Sequence, residues 1–170
     1  GLSVRPYLFD RSSDDDDDDT DRYATYADRV KVALEDVQQQ LPTLNLSDRV
    51  VVLVKNEDAR VQLTNQLAKG SFVCERARDA VCRLDFRPLY ETNDDDNARK
   101  VRLIVDTVDQ MSGLERLIVI AVGLDASLQT TNDQDNVESP RTVCSRIFRA
   151  ISRAQMVFCL VNEFVDGGWF

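Results

Sequence analysis

The apolar positions of this chain change their period along its length, and each change marks a new element. Residues 20–40 place Tyr23, Tyr26, Ala27, Val30, Ala33, Leu34 and Val37 three or four positions apart, the stripe of an amphipathic helix, and Pro42 ends it. Residues 50–54 are an unbroken apolar run, too short for a helix, and read as a buried strand. Helical spacing returns over 57–69 through Val61, Leu63, Leu67 and Ala68, with Gly70 as a stop signal. A short strand at 72–74 and a short helix at 75–84 follow, then two strands at 101–107 and 117–122. The last helix carries Val143, Cys144, Ile147, Phe148, Ile151 and Ala154 as a core-facing stripe, with Arg146, Arg149 and Arg153 sharing another side. Residues 156–161 form a final buried strand. Strands alternating with helices predict an α/β fold in three layers, with a mainly parallel sheet covered on both faces.

Charge divides the chain unevenly. The 170 residues carry a net charge of -9, and the first 48 hold 12 acids and 5 bases, so most of the acidity lies at the front. Asp14 to Asp19 repel one another and bury nothing, which predicts a disordered acidic arm over 1–20, a folded domain over 21–164, and a truncated connection over 165–170. No run reaches the roughly 18 apolar residues of a membrane span, and no basic region leads into an apolar segment. A soluble, intracellular fragment, nuclear or cytoplasmic, is the expectation. Cys74, Cys82, Cys144 and Cys159 show no Cys-x-x-Cys spacing and the chain has no histidine, so buried thiols are expected rather than a metal site.

Three segments also carry a resemblance. Thr107 followed at the sixth position by Gly113-Leu114-Glu115 and a hydrophobic strand, then the helix ending Phe148-Arg149-Ala150-Ile151-Ser152-Arg153-Ala154 and another strand, resembles motifs V and VI of superfamily 1 helicases of the UvrD/Rep kind. The run from Arg49 to Arg60, a strand turning into a helix around Lys55, is similar to that family's motif IV. The resemblance spans about Arg49 to Asn162 and departs at three positions. Asp109 stands where the family has a histidine, Ser112 where it has a lysine, and Lys55 where it has an arginine. Losing cations at the first two positions weakens contact with a phosphate backbone.

The resemblance implies the carboxy-terminal RecA-like half of an ATP-dependent DNA or RNA helicase, inactive without the amino-terminal RecA-like domain that supplies the Walker loop. It implies ATP with Mg2+ bound jointly by the two domains, and single-stranded DNA or RNA as partner. It casts Arg153 as an arginine finger, Glu115 as a contact to the nucleotide ribose beside Gly113, Lys55 as a phosphate contact, and Thr107 as a hydroxyl donor to nucleic acid. The residues read alone leave alternatives open: Thr107 as the cap of a turn, Arg153 in a structural ion pair, and Gly113 to Glu115 as a turn opening a strand. Two other functions compete. One is a RecA-like module that has lost turnover and serves interactions. The other is a receiver-like domain phosphorylated at Asp106, with Glu57 and Asp58 completing an acidic pocket.

Overall fold

The structure, a computed structural model, describes residues 1–10, 19–70, 72–81, 101–124 and 139–164. In chain order these form β1 (Ser3–Asp10), α1 (Asp19–Gln40), α2 (Leu46–Arg49), β2 (Val50–Val54), α3 (Glu57–Ala68), β3 (Phe72–Glu75), α4 (Ala77–Val81), β4 (Val101–Thr107), β5 (Arg116–Val122), α5 (Pro140–Ile151) and β6 (Ala154–Phe164). The six strands make one sheet in the order β1-β6-β5-β2-β4-β3, and every pairing is parallel.

Period-two alternation sorts the strand side chains onto two faces. On one, Val50, Val52, Val54, Ile118, Ile120, Val122, Val157, Cys159 and Val161 pack against the apolar stripes of α1 and α3. On the other, Val51, Leu53, Val119, Ala121, Phe158 and Leu160 pack against α5, α4 and the crossover residues Val108, Met111 and Leu114. The expected three-layer α/β architecture is therefore present, and the central strands are apolar throughout because neither face meets water. No helix among the described residues is long and apolar enough to cross a membrane.

Two expectations need correction. Residues 3–10 are not part of a disordered arm: they form β1, which pairs along its whole length with β6, from Ser3 opposite Val157 to Asp10 opposite Phe164. Phe9 is buried and meets Tyr26 of α1 edge to face at 5.2 Å, and Pro6 is tolerated because β1 is an edge strand. Of the aspartate run, residues 14–18 lie outside the described residues, as do 165–170, while Asp19 opens α1. The second correction is to the face of α5. Val143, Arg146 and Ala150 point inward, whereas Phe148 is 72% exposed. Arg146 takes the core position because its methylenes pack like an apolar side chain while Nη1 donates to the Leu124 carbonyl at 3.0 Å, just beyond β5.

Burial of two thiols gives the fold a pH signature. Burial pushes Cys159, on β6, up to about 11, and Cys74, on β3, also to about 11 against the opposing pull of Arg60. The folded chain thus holds these protons more tightly than the unfolded chain, whose thiols titrate near 9. Their contribution is complete below pH 9 and is lost as pH rises to about 11, on the order of 2 kcal/mol per thiol. Urea midpoints should fall across that interval, and a Cys74→Ser, Cys159→Ser variant should flatten the fall; an equal slope in the variant would exclude the thiols as its source.

Candidate functional site

The amino edge of the sheet gathers three of the residues singled out by sequence. α5 runs antiparallel to the strands, and its last turn is closed by Ser152 N–H donating to the Phe148 carbonyl at 3.0 Å. Arg153 follows at once, and its carbonyl accepts the Arg116 N–H at 2.9 Å where β5 and β6 begin together, Arg116 opposite Ala154. Glu115 precedes Arg116 directly and accepts from Gln155 Nε2 at 2.9 Å. Gly113 closes the turn before it at φ +81, with open space around the position of a Cβ, so its backbone conformation and not crowding demands glycine. Gly113, Glu115 and Arg153 are thus neighbours. Arg153 is partly buried, and its side chain has no hydrogen bond or ion pair among the described residues.

Lys55 and Thr107 lie at the opposite edge. Lys55 follows the last residue of β2, Thr107 ends β4, and the two strands are in register there, Val54 opposite Thr107. Because β2 and β5 are parallel neighbours, the seven residues of β5 separate Lys55 from Arg116 by about 20 Å. The structure therefore does not bring Lys55 to the nucleotide contacts expected of Glu115 and Arg153. Thr107 is buried, and its Oγ1 accepts the Gln110 N–H at 3.3 Å, so it caps the turn that follows.

Between the carboxyl ends of β2 and β5 is a narrow cleft lined by Arg22, Tyr23, Tyr26, Val54, Lys55, Ala59, Val122 and Gly123. Its position follows from topology: β2 leads into α3 on one face and β5 leads toward α5 on the other, so the two exits diverge. Gly123 has φ +58, and a Cβ there would sit 3.2 Å from the Tyr26 hydroxyl, so a side chain at this position would be strained in its backbone and would press on Tyr26. Arg22 is held by Glu163 through two bonds, Nε to Oε1 at 2.7 Å and Nη2 to Oε2 at 2.9 Å, both side chains buried.

Asp106 does not behave as a phosphoacceptor. It is 1% exposed; Oδ1 accepts the Thr107 N–H and Oδ2 the Ala77 N–H, each at 2.9 Å, so the carboxylate anchors α4. Glu57 is turned to Arg60, at 2.6 Å, and to Arg76, and the Arg60 hydrogen bond holds its carboxyl below the usual range. Sequence reasoning missed two pairings. Asp109, in the motif V segment, binds Arg149 of α5 at 2.6 Å, and Arg22 meets Glu163 across most of the chain. No spacing rule reveals contacts 40 and 141 residues apart.

No family model matches this sequence, and no curated protein matches it. Among solved structures, it is similar to the C-terminal domain of a possible DNA helicase from Lactobacillus plantarum WCFS1. That match has a TM-score of 0.46 and 16% identity, and covers 95% of this chain and 72% of the other.

Proposed function

We propose that this chain is the carboxy-terminal motor domain of an ATP-dependent DNA or RNA helicase, completed by an amino-terminal RecA-like domain of the same parent protein. The supporting observation is the amino edge: Gly113, Glu115 and Arg153 come from two segments 38 residues apart, and parallel pairing of β5 with β6 makes them neighbours. In this reading Arg153 meets the terminal phosphate of ATP, its planar fork matching phosphoryl oxygens. Glu115 accepts from the ribose, and Gly113 keeps the approach open. The nucleotide supplies the transferable phosphoryl group. Magnesium would be held by the nucleotide phosphates together with one or two carboxylates of the other domain. Lys55, which lines the cleft at the opposite edge, is assigned to the nucleic-acid side, while the buried Thr107 beside it caps its turn. The test is ATPase activity of the parent protein with and without single-stranded DNA and RNA; an activity that neither stimulates would count against the motor.

A second reading, a domain that has given up turnover and serves interactions, is favoured by one contact. Asp109 stands where the resembling family carries a cation, and it neutralises Arg149 on the helix that leads to Arg153. In this reading the parent binds its partner equally with and without ATP.

A further inference from the structure

We infer that Arg116 is a second anion-binding side chain beside Arg153, so that the amino edge of the sheet takes a phosphoryl group between two guanidinium groups. The inference rests on the reading of Arg153 as a phosphate contact and extends it to a residue that the helicase resemblance does not point to.

Among the other partly or fully buried arginines, Arg22 meets Glu163, Arg60 and Arg76 meet Glu57, and Arg102 meets Glu75, while Arg5 and Arg146 donate to uncharged acceptors, Gln40 and the Leu124 carbonyl. Arg116 and Arg153 are set apart because neither meets a carboxylate among the described residues and their backbones adjoin. Arg116 Nη1 donates only to the carbonyl of Glu115, at 2.9 Å, and its Nε is buried without a hydrogen-bond partner among the described residues. The nearest carboxylate in sequence, Glu115, is engaged by Gln155. The bond from Arg116 N–H to the Arg153 carbonyl joins the two backbones, so two cationic residues share one end of the sheet in a chain whose net charge is -9. Cations on adjoining backbones favour a shared anion, and buried N–H groups ordinarily have acceptors. A dianionic phosphoryl group satisfies both conditions. It accepts from the Nη2 side of Arg116 and from Arg153, the planar geometry that guanidinium groups offer to phosphate. Arg116 reaches it from strand β5 and Arg153 from the turn before β6, so the pair is positioned by the sheet itself.

The experiment follows the arginine Nε–Hε signals of this 170-residue chain by nuclear magnetic resonance, at constant ionic strength, during titration with inorganic pyrophosphate. The Arg116 and Arg153 signals should move together along one binding curve. Arg116→Gln should weaken pyrophosphate binding by about tenfold, as loss of a charge-assisted hydrogen bond predicts. Arg116→Lys, which keeps the charge and is the safer variant for folding, should recover part of it. An Arg116 signal that stays still, whether or not Arg153 responds, overturns the inference, and so does an Arg116→Gln variant that binds like the wild type with an unchanged urea midpoint. ATPase activity of the parent protein judges the motor reading separately: an inactive parent whose two signals still move keeps the anion site and loses the helicase.

Discussion

If the proposed motor reading holds, Arg153→Ala should lower a nucleic-acid-stimulated ATPase of the parent protein by about 10³- to 10⁵-fold, the range associated with removal of an arginine finger, while nucleotide binding changes little. The size follows from where the charge acts. A guanidinium that meets charge developing on a transferring phosphoryl group stabilises the transition state more than the ground state, so the loss appears in turnover and not in affinity. Arg153 suits that task because no acid among the described residues competes for its side chain, and because its backbone is fixed by bonds to Ala150 and Arg116. Arg153→Lys should recover only a small part of the loss, since an ammonium cannot reproduce the planar fork. A variant within threefold of the wild type would remove Arg153 from the chemistry and leave the domain as an interaction module.

Glu163→Ala should destabilise the chain by about 3–5 kcal/mol, the typical cost of leaving one member of a buried ion pair alone. Arg22 would then keep its charge inside the protein with both of its bonds to Glu163 gone, although the Tyr26 ring, 5.8 Å from the guanidinium, would remain. The double variant Glu163→Ala, Arg22→Met should recover much of the loss, because the expense lies in the unpaired charge and not in the absence of the pair. Urea unfolding of the wild type, both single variants and the double variant separates these terms. If Glu163→Ala costs less than 1 kcal/mol, the pair is not as dry as its burial indicates.

The fold was readable wherever one physical preference dominated a segment. Val50 to Val54 has no polar residue and could only be an interior strand, and α1 repeats its apolar stripe, Tyr23 to Val37, through about four turns. β1 escaped because the aspartates that follow it outweighed Tyr7 and Phe9 in a compositional reading, and because an edge strand needs only one apolar flank. The inward face of α5 was misread for a related reason: spacing treats Arg146 as polar and Phe148 as apolar, whereas a long aliphatic stem with a carbonyl at its tip fits a core position that Phe148 leaves for solvent. The proximity of Glu115 and Arg153 was implied by the motif resemblance, but the placing of Lys55 at the far edge depends on strand direction and register, which no single segment contains. The role of Asp106 was hidden too, because its partner is the backbone of a helix 29 residues upstream.

The pairing of β1 with β6 means that the first strand among the described residues is completed by the last. Ser3 lies opposite Val157 and Asp10 opposite Phe164, so this contact closes a loop encompassing nearly every other element. During synthesis Phe9 and Tyr7 can meet α1 early, yet the hydrogen bonds of their own backbone have no acceptor until the ribosome has made residues 154–164 and released them. Contacts of such sequence separation form late and slowly. A nascent chain of this domain therefore emerges with one end of its sheet unzipped, and that open edge, next to the exposed side chains of Val4 and Leu8, is the place a chaperone or an unwanted neighbouring strand would reach first.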